Sequence, residues 1–446
     1  MTVDLTRGRA IVTYGRSLIA LTVAQSLGRR GVEVIGGDDV GMTVLTFSRY
    51  AKSTFVHAPA ASEPEQFIDD LEAAILRHKP HDDRPYVLIP CFQETRLIAR
   101  HAERLGRHIK VAAPSFGAIS AVDPKDNLMR TARDLGIRAP AACMGTEWGM
   151  ERLGSPSGFP VVVKPVRGVG GRGVRKIDAA DDLETTLAEA ACGGANLKIQ
   201  EYIEGDDYCL TALFDHGVLK ASAAYHNIYQ YPRGAGAGVV RETVCDRPFL
   251  KSVKTLFEPL GWTGVVEVDF RWDGVNEPYL IEVNPRFWAG LFHSVESGMD
   301  FPWMLYVLAA TGVCPEPTPA LLGRRTKVAG LHILAAIQHV ADSDEAFSAA
   351  KAAWAEATSK FQNGQHLGAT WDLIRAVGGG SADVARAASR LRVALQSMKG
   401  APNEGFAPDD PLVSLGWLFV VASLIRHGRL PPELKNDPMA TDLVVS

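Results

Sequence analysis

Six cysteines in 446 residues form no C-x-x-C pair and stand beside no histidine cluster. Neither a zinc-ligand spacing nor a disulfide framework is legible in that pattern. Cys91, Cys143, Cys192, Cys209, Cys245 and Cys314 are read as reduced thiols, and the chain as cytoplasmic. An excess of basic charge is also missing: 47 Lys and Arg stand against 51 Asp and Glu, a formal net charge of -4. A general nucleic-acid binder would be basic, so no nucleic-acid partner is expected. One apolar stretch, 412–425 (LVSLGWLFVVASLI), is shorter than the roughly 20 residues of a spanning helix. A buried helix is expected there. The alternative is a membrane-surface or partner-docking role, which Trp417, Arg426 and Arg429 would suit. Residues 1–8 carry Asp4 and lead into a strand, so no signal peptide is expected. No Gly-Lys-Ser/Thr completes a Walker A loop, and no internal repeat is found.

What is present is a globular composition, 46% hydrophobic and 22% charged, on a chain long enough for two or three domains. The first 115 residues alternate strands and helices. AIVT (residues 10–13) reads as a strand running into Gly15, then a helix from about Ser17 to Arg30 closed by Gly31. VEVIGGD, ending at Asp38-Asp39, is a second strand; YVLIP (86–90), followed by a helix containing Glu94, is a further unit. This βαβ rhythm predicts a parallel, doubly wound sheet. A dinucleotide fingerprint needs three glycines in the first turn, and only Gly15 is there, so a substrate-facing or structural sheet is favoured.

From Asp123 the texture changes. DPKDNLMRTARDLGIRAP predicts a capped helix ending at Gly136. FPVVVKP (159–165) is a β-branched strand that delivers Lys164 into VRGVGGRGV, where four of the six residues 168–173 are glycine. Glycines let backbone N–H groups approach phosphate oxygens, and lysine adds a compact positive charge. Strands are predicted at 198–202, 208–214 and 218–224, and a glycine-rich loop, long enough for a mobile cover, at 225–239. On the predicted strand 264–272, Glu267 and Asp269 alternate and share a face; on the strand that ends at Asn284, Glu282 and Asn284 do the same. Two adjacent antiparallel strands would aim these oxygens at one point. Hard oxygen ligands without His or Cys suit Mg²⁺, with Mn²⁺ as an alternative. KIQEYIEGDD (198–207) places acids in a glycine turn, where they would bond a ribose or an adenine amino group. Arg241 has the chemistry to bind a substrate carboxylate. Glu94, His226, Tyr229, Tyr231, Arg233, Trp288 and His293 are further polar or aromatic residues near these motifs. After about Leu321 the chain reads as alanine-rich and helical.

In order, DPKDNLM, FPVVVKPVRGVGGRGV, IQEYIEGDDY, GVVEVDF and YLIEVNPRFWAG resemble the ATP-grasp superfamily over roughly residues 10–312. The resemblance is to its carboxylate–amine ligase branch and to the carbamoyl-phosphate synthase large-chain type of ATP-binding domain. It implies an α/β and α+β protein. A Rossmann-like pre-ATP-grasp domain (1–115) would precede a two-lobed ATP-grasp domain (116–320; small lobe about 123–203, large lobe about 204–320), with a mainly helical C-terminal extension (321–446). It implies ATP and Mg²⁺ as cofactors, with Lys125 and Lys164 on the α- and β-phosphates and the loop Arg167, Gly168, Gly170, Gly171 and Gly173 closing over them. Gln200, Glu201 and Ile203 would meet adenine, and Asp207 the ribose. Asp269, Glu282 and Asn284, with Glu267, would hold metal. Arg286, Lys164 and Arg241 would act on the transferring phosphoryl group and the substrate. D-alanine ligases carry arginine where this chain has Glu267, and the shorter Asp207 replaces a ribose glutamate. No biotin-carrier Met-Lys-Met motif is present.

The implied reaction activates a small-molecule carboxylate as an acyl phosphate and joins it to an amine, releasing ADP and phosphate. A carboxylate–thiol ligase, a small-molecule kinase and a non-catalytic nucleotide-binding protein are the alternatives. Dimerisation through the tail is a further reading of 321–446.

Overall fold

A computed structural model of the chain describes residues 4–145, 158–165, 174–192, 196–231, 236–328, 331–333, 335–336, 389, 391–396 and 398–413. Within these the chain divides into two compact units, Met1–Asn227 with Glu242–Arg324 and Glu404–Ser446, and Ile228–Arg241 with Arg325–Asn403.

The first unit opens with the parallel sheet that the βαβ rhythm predicts. β1 (Arg9–Val12), α1 (Leu18–Gly28), β2 (Glu33–Asp38), β3 (Ala51–Val56), α2 (Pro64–Arg77), β4 (Tyr86–Ile89), α3 (Thr95–Arg100), α4 (Ala102–Leu105) and β5 (Lys110–Val111) follow one another. The strands lie in the order β3-β2-β1-β4-β5, all parallel. Alternation explains how it is buried on both sides. Ala10, Val12, Val34, Val87 and Ile89 face α1, whereas Ile11, Ile35 and Leu88 face Phe67, Leu71 and Ile75 of α2. Ser17 caps α1 by accepting from Ala20 N–H at 3.0 Å.

α5 (Phe116–Val122) and α6 (Lys125–Asp134) lead to an antiparallel sheet of β6 (Ala142–Met144), β7 (Val161–Pro165), β8 (Arg175–Ile177) and β9 (Leu197–Glu201), ordered β6-β9-β7-β8. α7 (Ala180–Cys192) covers one face, where Val161, Val163, Ile177 and Ile199 pack with Leu183. Residues paired directly across antiparallel strands share a face. The pairs Val162↔Gln200 and Lys164↔Lys198 therefore put Lys164, Lys198 and Gln200 on the opposite, polar face.

The third sheet has β10 (Asp206–Asp215), β11 (Val218–Tyr231), β12 (Ala237–Val244), β13 (Gly264–Trp272) and β14 (Tyr279–Asn284), with α8 (Arg247–Phe257) between β12 and β13. In the first unit β14, β13, β10 and the first half of β11 lie side by side, antiparallel. Leu210, Ala212, Phe214, Val266, Val268, Phe270, Leu280 and Val283 form one face, covered by Phe249, Val253 and Phe257 of α8. The turn before β10 requires glycine: Gly205 has φ 124°, and a Cβ there would lie 2.4 Å from the Trp272 carbonyl oxygen. α9 (Leu291–Glu296) and α10 (Phe301–Thr311) then pack Leu291, Phe301 and Leu305 against α1.

The structure corrects one expectation. Residues 225–231 and 237–239, predicted as part of a mobile cover loop, are strand: β11 runs unbroken to Tyr231 and β12 begins at Ala237. The polar and aromatic side chains of HNIYQY hid an ordinary pleated segment, which a partner strand stabilises regardless of local composition. In the second unit, the outer parts of β11 and β12 and β15 (Arg325–Val328) build a small core from Val239, Val240, Val328, Ala335, Ala336, Ala394 and Met398. Among the described residues no helix is long and apolar enough to cross a membrane. Of the apolar stretch 412–425 only Leu412 and Val413 are described.

Candidate active site

Register across four strands sets the site. Tyr225, Cys209 and Asp269 pair in one cross-strand row that continues to Glu282 on β14, and Thr211, Glu267 and Asn284 form the next. The period of two keeps all of them off the face packed against α8. Glu267 is buried and doubly held: Tyr225 Oη donates to its Oε1 at 2.5 Å and Asn284 Nδ2 to its Oε2 at 3.2 Å. Asn284 Nδ2 also lies 3.4 Å from Asp269 Oδ2, and Cys209 Sγ donates to Asp269 Oδ1 at 3.0 Å. Burial, followed by the charges of Glu267 and Glu282, raises the Asp269 carboxyl well above its ordinary range. Three carboxylates this close oppose one another's ionisation, and a cation among them would relieve that.

A positive group faces them. Lys125, at the start of α6, pairs with Glu282 Oε2 at 3.0 Å. Lys164 is only 9% exposed and donates to Gln200 Oε1 at 2.6 Å. Its amine is pushed down to about 8, first by burial and then by neighbouring Lys125. Lys198, on the same face of β9, pairs with Asp126. The other end of the Gln200 amide, Nε2, is buried without a partner. A buried donor of this kind costs about 1–3 kcal/mol, so the position fits a ligand that supplies an acceptor.

Arg286 follows β14. Its Nη2 donates to Asn284 Oδ1 at 2.9 Å, its Nη1 to Phe287 O at 2.8 Å, and its guanidinium lies 4.5 Å from the Phe92 ring centroid. Phe92 stacks on Tyr14 with centroids 4.5 Å apart. Asp207 receives Arg271 Nη1 at 2.7 Å, and Ile203 O receives Arg271 Nε at 3.3 Å. Glu201 Oε2 accepts from Ala141 N at 3.2 Å.

The structure thus gathers Lys125, Lys164, Gln200, Glu267, Asp269, Glu282, Asn284 and Arg286 in the first unit. Arg241 is buried on β12 and belongs to the second unit. Arg167, Gly168, Gly170, Gly171, Gly173 and Arg233 lie outside the described residues. Glu94 bridges β1 and β4: its Oε1 accepts from Thr13 Oγ1 at 2.5 Å and from the amides of Cys91 and Phe92 at 3.2 Å. Trp288 is fully buried core, and buried His293 bonds Thr243 Oγ1 at 3.0 Å. His226 stacks on Tyr208. Sequence reasoning missed Cys209, Tyr225 and Asn227 beside the carboxylates. For Cys209 a signal existed, since Asp207, Cys209 and Thr211 alternate just as Glu267 and Asp269 do. Only the register shows which strand they adjoin.

Residues 123–290 match the model of an ATP-grasp domain family. The formate-dependent phosphoribosylglycinamide formyltransferase of Synechococcus sp. (strain CC9605) is 29% identical over 183 residues, 40% of this chain and 45% of that protein. The D-alanine–D-alanine ligase of Anaeromyxobacter sp. (strain K) is 25% identical over 166 residues, 33% of this chain and 52% of that one. The chain thus spans about half the length of these curated relatives. Among solved structures, a complex of biotin carboxylase from Campylobacter jejuni with β-γ-ATP superposes with a TM-score of 0.55 at 18% identity, covering 72% of this chain and 75% of that one.

Proposed function

We propose that this chain, a member of the ATP-grasp superfamily through residues 123–290, is a Mg-ATP-dependent ligase that activates a carboxylate as an acyl phosphate and passes it to an amine. One observation carries the reading. A buried lysine, Lys164, and a carboxylate ladder, Glu267 and Asp269 beside Glu282 and Asn284, are joined through Lys125 and end at Arg286. Phosphoryl transfer needs that combination, with cations toward phosphate oxygens and oxygen ligands for a divalent ion.

Lys125 and Lys164 would hold the α- and β-phosphates. Gln200, whose Nε2 lacks a partner, would take an acceptor nitrogen of adenine, with the backbone of Glu201 and Ile203 beside it. Asp207, steadied by Arg271, would meet the ribose. Asp269, Glu282 and Asn284, with Glu267, would hold magnesium. Magnesium bound there would neutralise phosphate charge and orient the γ-phosphoryl group. Small and large lobes, 123–203 and 204–320, would enclose the nucleotide.

In the reaction a substrate carboxylate oxygen attacks the γ-phosphorus and the bond to the β-bridging oxygen breaks, leaving ADP. Arg286, anchored by Asn284 and Phe287, and Lys164 offset charge on the phosphoryl oxygens. An amine then displaces phosphate from the acyl carbon and gives up a proton. A formyltransferase that uses formate and a ligase that joins two D-alanines, the two relatives above, fit this class of chemistry.

The test is capture of the activated carboxylate. Mg-ATP, pooled small carboxylic acids and hydroxylamine should yield hydroxamate and ADP in equal amounts. Hydroxamate formed with AMP and pyrophosphate instead would refute the acyl-phosphate route. Phosphorylated product without hydroxamate would make the protein a kinase.

A further inference from the structure

Cys209 sits within the carboxylate ladder, and nothing in the proposed ligase reaction uses a thiol. Its Sγ and the carboxylate oxygens of Glu267 and Asp269 all lie within 4.8 Å of one another. Cys209 and Glu267 are buried, at 6% and 7% exposure. Asp269 lies between two partners in its row, with Cys209 on one side and Glu282 on the other. Asn227 adjoins the same sulfur. Asn227 Nδ2 donates to Cys209 Sγ at 3.4 Å, while the Oδ1 of that amide is shielded and has no partner. Turning the amide over would offer this oxygen to whatever Cys209 binds.

We infer that Cys209, Asp269 and Glu267, with Asn227 Oδ1 as a fourth donor, form a site for a thiophilic divalent cation such as Zn²⁺. Donor chemistry separates this site from the magnesium site beside it. Mg²⁺ takes hard oxygens in octahedral geometry, and a thiolate favours Zn²⁺ in tetrahedral geometry. The Sγ–H proton leaves to solvent as the sulfur–metal bond forms, so charge and atoms balance with no oxidant. Both sites draw on Asp269 and Glu267, so a cation held by Cys209 removes two ligands from the magnesium position. The thiol therefore makes the protein sensitive to Zn²⁺ or Cd²⁺. This inference does not rest on the ligase reading, because the ligand set exists without nucleotide.

Co²⁺ is the probe, because thiolate ligation gives it a charge-transfer band in the near ultraviolet that oxygen ligation lacks. The full chain, reduced and free of nucleotide, is titrated with Co²⁺. One equivalent should develop the band, Zn²⁺ should abolish it, and a large excess of Mg²⁺ should leave it in place. Cys209→Ser should lose the band, whereas Cys245→Ser, which removes an exposed thiol elsewhere, should keep it. Asp269→Asn should weaken Co²⁺ binding tenfold or more. A wild-type chain that shows no band overturns the proposal whatever the variants do. So does a band that survives Cys209→Ser, or one whose affinity ignores Asp269→Asn.

Discussion

Lys164→Met is expected to lower kcat/KM for ATP by about 10²–10³-fold, the loss seen when one fixed donor to a developing anion is removed. The size follows from where the lysine sits. A flexible surface lysine would be replaced by water at little loss. Lys164 is fixed on β7, 9% exposed, with its amine already bonded to Gln200. Methionine keeps the length of the side chain and much of its packing, so the loss reports charge. The same burial gives a pH signature. The amine is held near 8 against an ordinary value of 10.5. Between those values the unfolded chain binds the extra proton, so this group makes the free protein more stable as pH rises across that window. Below it the cost of burying a charged amine is present in full. Bound phosphates favour the charged form, so ATP binding should take up a proton above pH 8 and weaken as pH rises further. Calorimetry at pH 8.5 in two buffers of different ionisation enthalpy measures that uptake. Up to about one proton is expected for the native chain, and a corresponding deficit for Lys164→Met. Equal uptake by both proteins would assign the proton elsewhere.

Asp269→Asn is expected to act in opposite directions on activity and stability. Turnover with Mg-ATP should fall by about 10³-fold or more, since an amide is a weaker magnesium ligand at a charge-bearing position. Without nucleotide or metal the variant should melt at higher temperature. Asp269 adjoins Glu267 and Glu282, and its carboxyl is raised well above the ordinary 3.8. A carboxyl raised in the folded state costs stability as pH climbs from its unfolded value through its folded one, so the cost is present at neutral pH and absent at acid pH. Asparagine removes it. An increase of roughly 2–4 °C corresponds to about 1 kcal/mol in a domain of 150–250 residues. Scanning calorimetry of the apo proteins at neutral pH reads the shift, and at acid pH the gap between variant and native chain should close. A variant that is both inactive and less stable would mean that Asp269 is a structural hydrogen-bonding group, not a metal ligand.

Much of this site was legible because its pieces are local. Alternation puts Glu267 with Asp269 and Glu282 with Asn284, and one hairpin makes the two pairs neighbours, as the register Glu267↔Asn284 and Asp269↔Glu282 shows. Lys164 at the end of a Val-rich strand was legible for the same reason. The parallel sheet followed from strand and helix alternation, although β3 (AKSTFV) and β5 (KV) carry too little hydrophobic pattern to read alone. What stayed hidden depends on partners far away in sequence. Cys209 meets Asp269 across sixty positions, Lys198 meets Asp126 across seventy-two, and Asp207 meets Arg271 across sixty-four. No local periodicity encodes these meetings. The strand character of 225–231 was hidden differently: its polar, aromatic composition suggests a loop, but β10 pairs with it as far as His226.

The most direct measurement of the central claim is positional isotope exchange in ATP carrying ¹⁸O in the β-nonbridging positions. It uses the carboxylate that hydroxylamine capture identifies, and no amine. Reversible transfer of the γ-phosphoryl group to that carboxylate lets the ADP β-phosphate rotate, so label should move into the β,γ-bridge only when the carboxylate is present, and not in Lys164→Met. Exchange that proceeds without the carboxylate, or product labelling that shows cleavage between the α- and β-phosphates, would contradict the account.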